Sequence, residues 1–138
     1  MSAANSKFLL TGLSLPDGTA SDIEIANGVI TAIGKTLPNN SDYQVVDLQG
    51  SVVLPGLVDL HTHLREPGRE DAETVLSGSR SGAKGGFTAL SAMANTSPVA
   101  DNAGVVEQVY RLGQEAGLLD VFPIGAVTKG LEGSALSE

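Results

Sequence analysis

The sequence predicts a mixed α/β fold in which a small, mostly antiparallel β unit precedes a parallel sheet. From residue 7 to about residue 53, short apolar stretches alternate with turn residues, as in a β unit. From residue 54 onward, apolar runs alternate with helical periods, which is typical of right-handed βαβ units on a parallel sheet. We therefore divide the chain into residues 1–53 and residues 54–138.

The β unit is predicted from its strands and from the turns between them. The strand candidates are Phe8–Leu15, Asp22–Ile25, Val29–Ile33 and Tyr43–Leu48. Pro16-Asp17-Gly18 predicts a turn after the first strand, because proline presets φ and glycine accepts a positive φ. Asn27-Gly28 supplies the positive-φ positions of a type I′ hairpin between the next two strands.

The second part is predicted to contain three strands separated by two helices. The strand candidates are Val52–Leu60, Phe87–Met93 and Val121–Val127. Val52–Leu60 is almost continuously apolar, which is typical of a strand covered on both faces. Two stripes at helical spacing predict the helices, namely Ala72, Val75, Leu76, Ser79 and Ala83, followed by Val105, Val109, Leu112 and Ala116.

Capping residues set the expected ends of these helices. Asp71 and Glu73 are expected in the first turn of the first helix, and Gly85-Gly86 is expected to end it. Asp101 or Asn102 is expected to cap the second helix, which should end near Gly117.

Composition excludes several classes of function. The absence of cysteine excludes a disulfide framework, a Cys-based zinc cluster and a cysteine nucleophile. No run approaches the ~20 apolar residues of a membrane span. Met1–Lys7 lacks the regions of a signal peptide, so we expect a cytoplasmic protein without a membrane partner. With 16 acidic against 8 basic residues and no basic cluster, a nucleic-acid partner is disfavoured.

The candidate site follows the first strand of the parallel sheet. Because side chains alternate along a strand, His61 and His63 point the same way and can bind one borderline metal ion such as zinc. The carboxyl ends of parallel strands meet at one edge, so Asn95 and Thr128-Lys129 are expected at the same edge. An exposed His-x-His is otherwise only a polar pair, but both histidines of the chain fall in this motif, which favours the metal interpretation.

Other polar residues near this edge admit more than one interpretation. Arg65 is a solvated loop cation or a carboxylate ligand, since its planar fork can bind a carboxylate through two hydrogen bonds. By spacing alone, Asn95 is a loop residue. Lys129 is a surface lysine or an anion contact, and no neighbouring residue decides between them. Glu66-Pro67-Gly68 is a turn.

Two motifs resemble those of a known family. Leu54–Gly68 (LPGLVDLHTHLREPG) resembles the first-strand signature of the amidohydrolase superfamily, and its Leu64–Gly68 part resembles the class I bacterial dihydroorotases. Gly85–Pro98 is similar to that family's second signature, with Ala94 where proline is usual. The resemblance implies a TIM-type (β/α)8 barrel preceded by a small β-sandwich segment. Residues 54–138 would supply three strands and two helices of a barrel that is incomplete in this chain.

The resemblance also implies residue roles and a reaction. His61 and His63 would bind one or two zinc ions, and Arg65 and Asn95 would bind the carboxylate of the substrate. The implied reaction interconverts N-carbamoyl-L-aspartate and L-dihydroorotate in pyrimidine biosynthesis. The other zinc ligands and the catalytic aspartate are expected downstream of residue 138, so the chain alone is expected to be inactive. Lys129 comes too early to be the bridging lysine of this class.

Two alternatives remain open. An allantoinase or hydantoinase would keep the superfamily, but a neutral ring needs no carboxylate ligand such as Arg65. A non-catalytic scaffold that binds aspartate transcarbamoylase fits the missing ligands, although the retained His61, His63 and Arg65 argue against it. A homodimer is also possible.

Overall fold

The computed structural model describes residues 6–138, so Met1–Asn5, part of the segment compared with a signal peptide, lies outside the described residues. The strands are β1 (Lys7–Ser14), β2 (Ala20–Ala26), β3 (Val29–Gly34), β4 (Gln44–Asp47), β5 (Leu57–Thr62), β6 (Phe87–Ala92) and β7 (Asp120–Pro123). The helices are α1 (Val75–Lys84) and α2 (Ala103–Ala116). The fold is therefore mixed α/β, as predicted. Within residues 6–138, no helix has the length and apolar character needed to cross a membrane.

The chain separates into two compact units, and the boundary falls between Pro55 and Gly56. In the first unit, four strands form one sheet in the order β3-β2-β1-β4. β2 pairs antiparallel with both β1 and β3, whereas β4 pairs parallel with β1. The buried side chains of Leu9, Leu13 and Ile23 come from the central strands β1 and β2. A sandwich needs a second sheet packed on this one, so the β-sandwich stays a prediction.

The hairpin between β2 and β3 has the predicted turn. Asn27 and Gly28 have φ values of 53° and 76°, which are the positive-φ positions of a type I′ turn. Nearby, the buried carboxylate of Asp22 accepts the backbone N–H groups of Gly12 and Leu37 at 3.1 and 3.0 Å. This buried acid is therefore satisfied by hydrogen bonds, as buried polar groups require.

The second unit contains a parallel sheet in the order β5-β6-β7, with α1 between β5 and β6 and α2 between β6 and β7. One core cluster joins the helices to the strands; its buried members are Leu64, Val75, Leu90, Ala92, Val109 and Val121. The alternation of strands and helices matches the βαβ pattern predicted for this part.

The first strand of this sheet differs from its prediction. β5 covers Leu57–Thr62 rather than Val52–Leu60, and Val58 and Leu60 are 56% and 73% exposed. The expectation of a strand covered on both faces is therefore wrong for the described chain. The physical reason is that, within the described residues, the buried helix side chains cluster mainly around β6 and β7.

The helix ends also depart in part from expectation. α1 begins at Val75 because Thr74 caps it, with the Thr74 side chain accepting the N–H of Ser77. Asp71 and Glu73 consequently precede the helix instead of lying in its first turn. The end of α1 at Gly85, and both ends of α2 at Asn102 and Gly117, agree with the prediction. β7 ends at Pro123, before the predicted Val127.

Candidate functional site

The two histidines lie at the carboxyl end of β5. The ring centroids of His61 and His63 are 5.3 Å apart, with an angle of 61° between the rings. This is the same-side placement that strand alternation predicts. The pairing of β5 with β6 is irregular between Asp59 and Thr62, and Asp59 Oδ1 accepts the N–H of His61 at 2.9 Å. The side chain of Asp59 thus holds the backbone at the first histidine.

Asn95 joins the site from the loop after β6. Its Oδ1 lies 2.7 Å from Nδ1 of His63. An amide oxygen can only accept, so this contact assigns the proton to Nδ1 of His63, and in the neutral ring Nε2 keeps its lone pair. The N–H of Met93 donates to the carbonyl of Thr62 at 2.9 Å and continues the contact between the two strand ends. The structure therefore brings together two site residues predicted from different strands.

Arg65 follows the histidines on an exposed loop. Its φ is +60°, in the left-handed region that few residues other than glycine adopt, and its carbonyl accepts the N–H of Arg69 at 2.8 Å. Among the ion pairs formed within residues 6–138, none involves the Arg65 guanidinium. Within the described residues, the Arg65 guanidinium therefore forms no ion pair with a carboxylate.

Glu66 makes a contact that the sequence analysis, which assigned it only to a turn, did not predict. Its Oε2 accepts the N–H of Val75, the first residue of α1, at 2.7 Å. The sequence carried no signal for this contact, because Asp71 and Glu73 were expected in the first turn of α1. The first turn contains no acidic residue, and its N–H groups are open to a carboxylate from elsewhere.

The loops after β5 and β6 are also joined directly. The N–H of Ser97 donates to the carbonyl of Pro67 at 3.0 Å. Gly68 has a φ of +105°, and a Cβ atom at this position would lie 2.3 Å from the carbonyl oxygen of Ser97. Only glycine leaves room for this approach, so Gly68 permits the close contact between the two loops.

Lys129 lies apart from the histidines in sequence and has a local partner. It begins a short 3-10 segment, Lys129–Leu131, and its Nζ is 3.8 Å from Glu138 Oε1 in an exposed ion pair. This contact favours the surface-lysine interpretation. Next to this segment, Asp101 Oδ2 accepts the N–H of Gly130 at 2.8 Å, which lowers the pKa of Asp101 below its ordinary value.

The donor set for a metal ion is partial in the described chain. Two imidazoles face one side of the strand end, and no group of three His, Asp or Glu side chains that could hold a metal ion forms within residues 6–138.

The family model and the curated relatives indicate the same family. A model of the Dihydro-orotase-like family matches residues 50–138. The dihydroorotase of Streptomyces coelicolor is 59% identical over 133 residues, which cover 96% of this chain and 31% of that protein. The dihydroorotase of Mycobacterium tuberculosis is 52% identical over 122 residues, which cover 88% of this chain and 28% of that protein. The chain thus spans about a third of the length of these relatives.

Solved structures share the fold at lower identity. An L-hydantoinase from Arthrobacter aurescens matches with a TM-score of 0.74 and 23% identity, over 90% of this chain and 28% of that one. An adenine deaminase matches with a TM-score of 0.66 and 21% identity, over 91% of this chain and 32% of that one. At these identities the likeness concerns the fold alone.

Proposed function

Because the chain belongs to the dihydro-orotase-like family, we propose that it is the N-terminal part of a zinc-dependent dihydroorotase. The enzyme would interconvert N-carbamoyl-L-aspartate and L-dihydroorotate in pyrimidine biosynthesis. Residues 1–53 would belong to a β-sandwich segment, and residues 54–138 would start the hydrolase barrel. The observation that carries the proposal is the contact of Asn95 with His63, which joins a candidate substrate ligand to a candidate metal ligand.

The residues present fit zinc. Imidazole nitrogens are preferred zinc donors, and the contact with Asn95 leaves Nε2 of His63 for the metal ion. His61 and His63 would hold the ion, and the longer protein would supply the remaining ligands and the catalytic aspartate. When bound, zinc lowers the pKa of a coordinated water toward neutrality and polarises a carbonyl group.

Arg65 and Asn95 would orient the substrate by its carboxylate. The guanidinium of Arg65 is a planar fork that matches a carboxylate, and it is not committed to an ion pair within residues 6–138. Asn95 uses its amide oxygen for His63, so its two N–H donors remain for a substrate oxygen. Fixing the anion in this way would hold the reacting carbonyl close to the metal site.

Two other functions, a neutral-ring hydrolase and a non-catalytic scaffold, compete with this proposal. The fold likeness to an L-hydantoinase agrees with a neutral-ring hydrolase, but at 23% identity it does not favour one substrate. A scaffold that binds aspartate transcarbamoylase, or a homodimer, is compatible with the family. The uncommitted Arg65 guanidinium and the His63 to Asn95 contact favour an enzyme that takes an anionic substrate.

A chimera tests the proposed function. This chain replaces the matching segment of the Streptomyces coelicolor dihydroorotase, whose remaining sequence completes the enzyme. We expect the chimera to convert dihydroorotate, and Arg65→Ala to lower kcat/KM on the order of 100-fold because the anion is no longer held in place. Zinc content should not change.

Arg80→Ala is the matched control, since Arg80 is an exposed arginine on α1. Full activity of the Arg65→Ala chimera would overturn the proposal. So would an intact chimera that hydrolyses a neutral hydantoin in preference to dihydroorotate.

A further inference from the structure

We propose that Glu66 is a positioning residue for Arg65. By accepting the N–H of Val75, its carboxylate holds the start of the loop between β5 and α1 in the shape that presents the Arg65 guanidinium. The inference rests on the proposed function, because it takes Arg65 to be the ligand of the substrate carboxylate.

The backbone of Arg65 needs support from its surroundings. A φ of +60° is unfavourable for a residue with a Cβ atom, so neighbouring contacts must hold it. On the N-terminal side, Leu64 is buried in the core, and its carbonyl accepts the N–H of Glu66 at 2.8 Å. These contacts fix the chain before Arg65 and at the next peptide.

On the C-terminal side, the nearest side-chain anchor is the Glu66 carboxylate. It is half-buried and lies 2.7 Å from the N–H of Val75, where the first N–H groups of α1 carry a partial positive charge. Thr74 uses its hydroxyl for Ser77, and the first turn contains no acidic residue. Glu66 therefore supplies a charge-assisted hydrogen bond to a helix end that has no acid of its own.

The remaining anchors of the loop act farther along the chain. Pro67 and Gly68 are held against Ser97 of the loop after β6, and Arg69 donates its N–H to the carbonyl of Arg65. Removing the Glu66 carboxylate would leave these contacts in place. It would release the residue directly after Arg65 from α1.

Single variants in the chimera described above give the first test. We expect Glu66→Ala to lower kcat/KM for dihydroorotate on the order of tenfold, since a misplaced guanidinium holds the anion less well. Zinc content should stay unchanged. Glu66→Gln keeps an oxygen that can accept the N–H of Val75, so it should recover most of the loss.

Glu70→Ala is the matched control, because Glu70 is in the same loop and accepts only the nearby N–H of Gly68, at 2.9 Å. It should stay within about twofold of the parent chimera, as is usual for an exposed substitution. Equal losses for Glu66→Ala and Glu70→Ala would contradict a specific role for Glu66.

A double-mutant cycle separates positioning from general stability. If Glu66 acts through Arg65, the double variant Arg65→Ala/Glu66→Ala should lose no more activity than Arg65→Ala alone. Independent, multiplicative losses would overturn this inference and leave the proposed function intact. Wild-type activity of Arg65→Ala would overturn the proposed function itself. Should Glu66→Ala fail to fold, Glu66→Asp takes its place, because its shorter side chain retracts the carboxylate from Val75 and should show the same coupling.

Discussion

Ser79 has a hydroxyl group that is fully buried and finds no hydrogen-bond partner among the side chains and backbone of residues 6–138. An unpaired buried hydroxyl costs about 1–3 kcal/mol, and alanine is the better helix former. We therefore expect Ser79→Ala to raise the free energy of unfolding by about 1 kcal/mol, as measured by chemical denaturation.

Ser81→Ala is the matched control for this substitution. Ser81 is an exposed serine on the same helix, so its replacement should change stability by no more than about 0.5 kcal/mol. Lower stability of Ser79→Ala than of the parent chain would contradict the expectation, because it would show that the hydroxyl has a partner.

Residue placement was predictable where it depends on local geometry. The same-side placement of His61 and His63 follows from strand alternation alone. The Asn95 contact with His63 and the Glu66 contact with Val75 join residues distant in sequence through loops. The sequence predicted that Asn95 lies at the same edge as His63, but neither hydrogen bond. The loop that carries Glu66 depends on a positive φ at Arg65, a residue type for which the sequence does not predict one.

Helix α2 approaches strand β7 through Gly113. A Cβ atom on Gly113 would lie 2.5 Å from Cβ of Val121, which is fully buried in the core. Overpacking costs about 1–3 kcal/mol, whereas alanine gains about 1 kcal/mol over glycine in a helix. We expect Gly113→Ala to lower the melting temperature, as followed by circular dichroism.

Gln114→Ala provides the comparison for the helix itself. Gln114 is exposed on α2 and precedes the same helix end, so its replacement should leave the melting temperature nearly unchanged. A higher melting temperature for Gly113→Ala would mean that α2 can move away from Val121 without loss.

Asp101 connects the start of α2 to the segment after β7, and this connection should depend on pH. The N–H of Gly130 lowers the pKa of Asp101 in the folded chain. A carboxyl with a depressed folded pKa stabilises the fold above its unfolded pKa, and this contribution is lost as pH falls through the folded value. Acidification should therefore weaken the protection of the Gly130 amide from hydrogen exchange.

Asp101→Asn isolates this contribution from the other acidic groups. The variant has no carboxyl to titrate at this position, so the Gly130 amide should exchange with little dependence on pH below the ordinary range of aspartate, after correction for the intrinsic rate. If the Gly130 amide of the parent chain is equally protected above the ordinary pKa of aspartate and below the lowered pKa of Asp101, Asp101 does not hold the segment.

At the level of elements, strong local signals gave the right boundaries. Asn27-Gly28, Asn102 and Gly117 each set a turn or cap that the structure contains. The start of α1 was wrong because Thr74 competes as a cap with the acidic residues that precede it. The burial predicted for β5 was wrong because an apolar run does not reveal which elements pack on the strand.

For the whole molecule, the short length relative to its relatives bears on metal affinity. The chain spans 31% of the Streptomyces coelicolor dihydroorotase and offers two imidazoles at the candidate site, whereas zinc in proteins usually takes about four ligands. We expect the 138-residue chain to retain little zinc after dialysis and the chimera to retain it stoichiometrically, as measured by elemental analysis.

His61→Ala/His63→Ala in the chimera is the control, and we expect it to lose zinc. Tight, stoichiometric zinc in the 138-residue chain would contradict the expectation that the ligand set is completed elsewhere.

Strand β1 lies between β2 and β4 in the first sheet, although it precedes both of them in the chain. The hairpin of β2 and β3 can close as soon as both have been synthesised, but β1 gains its second neighbour only when translation reaches β4. Initiation at a codon downstream of β1 would therefore split the sheet, leaving a hairpin on one side and a single strand on the other.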